Sequence, residues 1–359
     1  MQINVNCPIN VTSYGYVSSY FLRGLHRLGH DVRHIPIGQN SPDENLAHEL
    51  AQPLSRWDFA TDGPCLKIWH QHDLNAFYGS GKRIGMPIFE LDGFNPKELH
   101  SLSNPDELIV CSKWAKEVIQ RHVPCQRSNV SVIPLGYDDS IFYPAQLPQT
   151  GPTVFGNFGK WEVRKGHDKI AEIFNKAFTP QDDVVMCMMP HNFFLSQQEV
   201  NQWVSRIKKY PIASKFMMIG RQRTQRDVFN IMSQVHCGFF PSRAEGWNLE
   251  ALELLASGRH LIITDCTGHT EFCDNDNSML VKMTGKEKAY DGKWFHGDFD
   301  WHSLGPEQID QMVEYLREIH RKHQDRTLQI NQAGIESTKK YTWDSVTKAL
   351  SEHLEKICW

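Results

Sequence analysis

Short apolar runs alternate with helix-period stretches along the chain, and the alternation runs through twice. That order argues for α/β layers built on parallel sheets. In the first pass, a strand at about residues 2 to 6 leads into the loop Val11-Thr12-Ser13-Tyr14-Gly15-Tyr16. A helical pattern follows through Phe21, Leu25 and Leu28 and stops at Gly29-His30, before the strand Asp31 to Ile35. Leu66 to Trp69, Arg83 to Phe89, Glu107 to Val110 and Val130 to Ile133 read as further strands. Ser112 is a candidate N-cap for a helix from Trp114 to Val123. The stretch from Gly38 to about Pro64 is polar and weakly patterned.

Pro134, Pro144, Pro148 and Pro152 punctuate a candidate linker, after which the pattern restarts. Thr153-Val154-Phe155 reads as a strand that opens into the loop Gly156-Asn157-Phe158-Gly159-Lys160. A helix from about Gly166 to Phe178, the strand Val184 to Met189, the helix Glu199 to Lys208 and the strand Phe216 to Ile219 follow. Thr224 with Asp227 is a capping-box variant at the next helix. Leu261 to Thr264 is a strand ending in the loop Gly268 to Glu271, and beyond about residue 306 only helical patterns remain. The last runs from Trp343 to Ile357, with Val346, Leu350 and Leu354 on one face. At 359 residues the chain is long enough for two cores.

The stretch from Pro241 to Gly258 carries the densest signal. Cys237-Gly238-Phe239-Phe240 reads as a buried strand that stops at Pro241-Ser242. An acidic loop and an amphipathic helix follow, closed by Gly258 at the C-cap. Strand, turn and helix N-terminus together form the crevice in which open α/β sheets bind ligands. Free backbone N–H groups there suit an anion such as a diphosphate. Glu245 and Glu253 are eight residues apart, roughly 12 Å along a helix axis. That separation is too long for a shared proton or a metal cage, and it suits two anchors on one extended, hydroxyl-rich ligand.

Gly156 to Lys160, with Arg164-Lys165-Gly166 beyond it, offers close backbone approach plus positive charge, the two needs of a phosphate site. Neither a dinucleotide fingerprint nor a Walker A spacing is met. His70 and His72 sit at a strand end without a third metal ligand in view. Asp274-Asn275-Asp276 and Asp298-Phe299-Asp300 match an Asp-x-Asp pattern but read as turn residues in irregular polar regions. The formal net charge is -4, and no tract of clustered Lys and Arg marks a nucleic-acid or anionic-membrane surface. Nine cysteines without a C-x-x-C pair, and no secretory leader, fit reduced thiols in a cytoplasmic protein. No apolar run reaches the length of a membrane span.

Taken together, the chain resembles a retaining glycosyltransferase of the GT-B fold, from the large family four that includes sucrose synthases and mannosyltransferases. Pro241-Ser242 through Glu253 resembles the family's Pro-Ser…Glu-x7-Glu signature. Val132 to Asp138, with Phe142 and Pro144, resembles its interdomain Ile-Pro-Asn-Gly-Val-Asp segment. Gly159-Lys160 with Arg164-Lys165-Gly166 is similar to its Gly-Arg…Lys-Gly donor-phosphate motif, and Tyr341-Thr342-Trp343 to the Phe-Ser-Trp opening of its last helix. The resemblance implies two Rossmann-like domains facing each other across a cleft. Residues 1–147 would form the acceptor domain and 148–340 the donor domain, with 341–359 a helix returning to the first.

The resemblance further implies a nucleotide-diphosphate sugar as co-substrate, with no cofactor and no metal. By position, Glu245 would hydrogen-bond sugar hydroxyls, and the backbone of Gly246, Trp247, Asn248 and Leu249 would line the sugar. Glu253 would take the ribose hydroxyls. Gly159, Lys160 and Lys165 would receive the diphosphate with Arg164 as a neighbour, and Gly220 and Arg221 would lie near the base. His72, with His70 as runner-up, would face the donor sugar, and Ser13-Tyr14-Gly15 would line the acceptor side. The chain departs from the family in having Asn248 where Gly is usual, Lys160 where Arg is common, and no Gly-Gly pair in its first loop. A saccharide acceptor is the default. A hydroxymethylated DNA base or another non-glycan acceptor is the alternative, and an epimerase, an inverting transferase or a catalytically silent nucleotide-sugar-binding module are the competing activities.

Overall fold

A computed structural model describes residues 1–56 and 58–358. Trp359, the last residue of the expected returning segment, lies outside them. The chain divides into two compact units, Met1–Asp138 with Lys340–Trp359, and Asp139–Lys339.

The upstream unit holds β1 (Gln2–Cys7), β2 (Asp31–Pro36), β3 (Cys65–Ile68), β4 (Arg83–Met86), β5 (Glu107–Val110) and β6 (Val130–Val132). They form one parallel sheet in the order β2-β1-β3-β4-β5-β6. β3 and β5 are buried along their whole length, as parallel strands covered on both faces must be. The expected loop through Ser13, Tyr14 and Gly15 is instead the first turn of a helix, Ser13–Arg27. Asn10 explains the early start, because its side-chain oxygen accepts from both the N–H and the hydroxyl of Thr12. Ser112 caps the helix Lys113–His122 by accepting from the Ala115 N–H. The weakly patterned region contains a short helix, Ala47–Leu54.

The terminal helix Trp343–Cys358 belongs to this same unit. Its Trp343 ring stacks on Tyr20 at 5.0 Å, Thr347 fills the space beside Gly24, and Ser351 hydrogen-bonds His30.

The downstream unit holds β7 (Thr153–Phe158), β8 (Val184–Met189), β9 (Phe216–Met218), β10 (Cys237–Phe240), β11 (His260–Thr264) and β12 (Met279–Val281). These too are all parallel, in the order β12-β11-β10-β7-β8-β9. Read from the other edge, that is the dinucleotide-fold order, with the topological switch between β7 and β10. Gly156, Asn157 and Phe158, expected in a loop, finish β7. There Asn157 donates to the Phe239 carbonyl of β10. The core packs Phe155, Phe174, Phe239 and Ile262 against Met312 and Leu316 of the helix Pro306–Gln324.

β13 (Lys286–Tyr290) and β14 (His296–His302) form an antiparallel hairpin outside both sheets. Asp298-Phe299-Asp300 therefore lie in a strand and not in a turn. Asp274 does sit at a turn, accepting from the N–H groups of Asp276 and Asn277. All nine cysteines are free, and no helix among the described residues is long and apolar enough to cross a membrane.

Candidate active site

β7 and β10 end side by side at the switch point, and the loops that leave them touch backbone to backbone. Gly159 turns the chain at φ 122°. A Cβ there would stand 3.2 Å from the Lys165 Cε and 3.3 Å from the Glu250 carboxylate. Gly166 is left-handed at φ 73° ahead of the helix His167–Ala177, and a Cβ on it would overlap the Pro241 carbonyl oxygen. Glycine is required there twice over, by backbone angle and by space. The Arg243 N–H donates to the Arg164 carbonyl at 2.7 Å, completing the join.

Five charged side chains meet where these loops join. The Glu245 carboxylate accepts from Arg164 Nη1 at 2.7 Å, Lys165 Nζ at 2.9 Å and Ser242 Oγ at 2.9 Å. Arg164 Nη2 donates to Glu162 at 2.7 Å, and Glu162 also pairs with Lys160 at 3.1 Å. Glu162, Arg164, Lys165 and Glu245 are buried, whereas the Lys160 side chain is 42% exposed. Burial drives the Glu245 pKa upward, but Arg164 and then Lys165 overcome it and hold the carboxyl far below its usual range. Burial likewise lowers Lys165, but Glu245 and Glu250 outweigh it and leave the ammonium above its ordinary value. Both groups are therefore charged through the neutral range, and the buried pairs have the hydrogen bonds they need to stay so. His167, behind them, is pushed down to about 4 by burial and then by Lys165.

A second layer fixes Glu245 from the β11 side. Its N–H donates to Thr267 Oγ1 at 2.8 Å, and its carbonyl accepts from the Gly268 N–H at 2.9 Å. Gly246 then runs so close to Gly268 that a Cβ on the latter would overlap the Gly246 oxygen. Trp247 is buried against Phe272 at 5.0 Å. Asn248 stands left-handed at φ 79° and caps the helix Leu249–Ala256 by accepting from the Ala251 N–H. Its side-chain Nδ2 is buried, with no hydrogen-bond partner among the described residues. Glu253 lies in the second turn of that helix and is buried.

Of the sequence-predicted residues, Gly159, Lys160, Arg164, Lys165 and Glu245 thus gather in one network, and Gly246 to Leu249 continue from it to the helix start. Gly220 and Arg221 follow the edge strand β9, outside the network, with the Arg221 guanidinium over the Phe193 ring at 4.7 Å. In the upstream unit, the switch point lies between β1 and β3. Tyr14 meets His70 there at 4.5 Å, and His70 stacks on His72 at 5.3 Å. The Tyr14 hydroxyl donates to the Ile88 carbonyl and accepts its N–H. Ser13 opens the helix one residue earlier, and a Cβ on Gly15 would overlap the Asn10 backbone. His72 is exposed and His70 half-buried.

Sequence reasoning passed over Glu162, Arg243 and Glu250. Glu162 lies two residues from Arg164, and that spacing was its only signal. Arg243 pairs with Asp168 at 2.7 Å and with Glu287 of β13 at 2.7 Å, which ties the hairpin to the site loop. No group of three or more His, Cys, Asp or Glu among the described residues could hold a metal ion.

Residues 152–290 match the family model described as glycosyl transferases group 1. A protein of Sulfolobus islandicus filamentous virus, named provisionally as a glycosyltransferase, is 19% identical over 97% of this chain and 92% of its own length. Mannosylfructose-phosphate synthase of Agrobacterium fabrum is 24% identical, over 58% of this chain and 52% of its own. Among solved structures, Anabaena Alr3699/HepE in complex with UDP-glucose aligns with a TM-score of 0.71 at 12% identity, covering 99% of this chain and 100% of that one. Sucrose-phosphate synthase from Thermosynechococcus elongatus gives a TM-score of 0.69 at 13% identity, covering 99% and 98%. At such identities the structural likeness speaks for the fold, GT-B.

Proposed function

We propose, from the match of residues 152–290 to the group 1 glycosyl transferases, that this chain moves a sugar from a nucleotide-diphosphate sugar to an acceptor hydroxyl with retention at the anomeric carbon. One observation carries the reading: the buried Glu245 carboxylate is clamped between Arg164 and Lys165 at the switch-point end of β10. A site of that kind offers cations for a departing diphosphate and an ionised carboxylate for sugar hydroxyls in the same few ångströms.

In the reaction, the bond from the anomeric carbon to the phosphate oxygen breaks while the acceptor oxygen bonds to that carbon from the same face. The acceptor proton passes to the departing phosphate oxygen, so no side chain becomes covalently attached. Lys165 and Arg164, fixed before the donor arrives, and the more exposed Lys160 stabilise the charge that develops on the diphosphate. The Asn248 amide, buried with its Nδ2 unpartnered among the described residues, supplies one further donor at the helix N-terminus. Glu253 takes the ribose hydroxyls, Gly220 and Arg221 lie along the base, and His72 or His70 faces the sugar. The three cations do the charge neutralisation that a divalent ion performs elsewhere, so the transfer is metal-independent. The acceptor is a saccharide.

The test begins with a thermal-shift screen of nucleotide sugars, UDP-glucose first. Lys165→Ala and Glu253→Ala should then each sharply reduce transfer while the protein stays folded. The anomeric signal of the product, followed by NMR, should keep the donor's configuration, and excess EDTA should leave the rate unchanged. Full activity in both variants would remove the site assignment. An inverted product would remove the mechanism, and donor binding without transfer to any acceptor would turn the reading into a binding module.

A further inference from the structure

The tip of the β13–β14 hairpin is stapled down while its largest side chain is left in solvent. One Asp291 carboxylate oxygen accepts from the N–H groups of Lys293, Trp294 and Phe295, which fixes the turn. Lys293 Nζ then reaches Glu199 on the helix Gln197–Lys208 at 2.7 Å and the Phe194 carbonyl at 2.7 Å. Trp294 nevertheless remains 47% exposed, with the Lys293 ammonium over its ring at 5.7 Å and the likewise exposed Phe194 meeting it edge to face at 5.4 Å. An aromatic held by polar staples and not by burial is positioned for something outside the chain.

Beneath it lies a pocket of ≈ 180 Å³ whose walls include Trp294, Trp161 and Trp203. Trp161 and Trp203 stack at 5.2 Å with planes 8° apart. Gln202 on the same helix and the carboxylates of Glu162 and Asp291 bring polar groups to the apolar wall. Indole surface with a few convergent amide and carboxylate groups is a lining for a ligand with apolar faces and hydroxyl edges. The charge balance narrows the class. Glu162, Glu199 and Asp291 face Arg206 and Lys293, and Lys293 is already neutralised by Glu199. Glu162 is in turn held by Lys160 and Arg164, which leaves Asp291 against Arg206 and a lining without the surplus of cations that a polyanion such as single-stranded DNA needs, although the exposed rings alone would suit base stacking.

We propose that this pocket is a subsite for a neutral oligosaccharide, separate from the nucleotide-sugar site and linked to it through Glu162. That carboxylate lines the pocket and also holds Lys160 and Arg164. The proposal rests on the reading of the chain as a sugar transferase with a saccharide acceptor: a bound glycan would lie with one residue against Trp294 and the rest leading toward the switch point. The turn is set in advance by Asp291, so binding costs little ordering.

The test uses maltotriose, cellotriose and mannotriose, with the single strand dT12 as the opposing probe, followed by saturation-transfer NMR and tryptophan fluorescence. At least one trisaccharide should bind saturably, and Trp294→Ala should weaken it about tenfold, the equivalent of one aromatic contact. Gln202→Ala should weaken it less, with the melting temperature of both variants showing that the fold holds. No saturable binding by any of the three overturns the subsite. So does binding that survives Trp294→Ala, or tight dT12 binding that Trp294→Ala abolishes. Nucleotide-sugar binding is titrated separately in the same samples. Its survival beside failed trisaccharide binding strikes the subsite alone, and its own failure strikes the donor reading.

Discussion

The two switch points are built on nearly the same strand order and carry different chemistry. In the upstream unit the loops after β1 and β3 gather rings: Tyr14 against His70, His70 against His72, and Trp69 beside Tyr14 at 5.4 Å. In the downstream unit the loops after β7 and β10 gather charge, with Lys160, Glu162, Arg164, Lys165 and Glu245 in one chain of ion pairs. The sheet fixes where a ligand can approach, and the loops decide what it meets there. A ring-lined site reads shape and hydroxyl edges. A site of buried ion pairs stabilises charge that appears during a reaction.

The sharpest attempt to break this contrast is Glu245→Ala. It leaves Arg164 and Lys165 buried without their shared carboxylate, and we expect a loss of about 3–5 kcal/mol in unfolding free energy together with lost transfer. Chemical denaturation followed in the downstream unit measures the first. A loss within error would mean the ion pairs are ornamental.

Acid separates the units next. His167 and His236 are both pushed down to about 4 by burial. The unfolded chain takes up those protons near pH 6.5 and the folded one only near 4, so stability falls as pH drops through that interval and then levels. For His167 the loss is on the order of 3 kcal/mol. Glu245, depressed in the fold, adds a further loss as pH falls below the ordinary carboxylate value of 4.5. Upstream, His30 and His34 are also lowered by burial. The downstream unit has His260, His269, His320 and His323 lowered besides the two already named. We therefore expect it to open first on acidification, as hydrogen exchange resolved by segment would register, and His167→Gln should flatten the slope.

Gly166→Ala sharpens the contrast at smaller cost. It forces a left-handed φ on a Cβ that overlaps Pro241, and we expect about 2 kcal/mol of destabilisation, read as a lower melting temperature. Tyr14→Phe is the mildest. It frees the Ile88 carbonyl and N–H of their side-chain partner, for about 1 kcal/mol, and should slow transfer far less than Lys165→Ala. Equal slowing would erase the distinction between a site of rings and a site of charge.

Much of this was legible because strand ends and helix starts are marked by local chemistry. Pro241-Ser242, Gly258 and Ser112 punctuate elements through backbone angles and caps that act within a few residues. Thr224 and Asp227 form a full capping box for the same reason. Ion pairing across loops is not local. Glu162, Glu250 and Arg243 take their roles from residues that only the sheet order brings near, and no spacing announces them. Gly156 to Phe158 read as a loop because glycine and asparagine disfavour strands in isolation, yet Asn157 is held in β7 by its bond to β10. The hairpin did have a local mark in Asp291-Gly292. It was obscured by Asp298 and Asp300, whose acidic pattern reads as a turn until the alternation of β14 is seen.

The return of Trp343 to the ring of Tyr20 sets the timetable by which the nascent protein can mature. During synthesis the strands of the first sheet are made early, and the helix that covers them is made only after the whole of Asp139–Lys339. Until that helix is in place, Tyr16, Tyr20 and Phe21 lack their ring partner Trp343 and are open to any chaperone that binds exposed rings. The unit whose strands are made first is thus closed by a segment made after its neighbour.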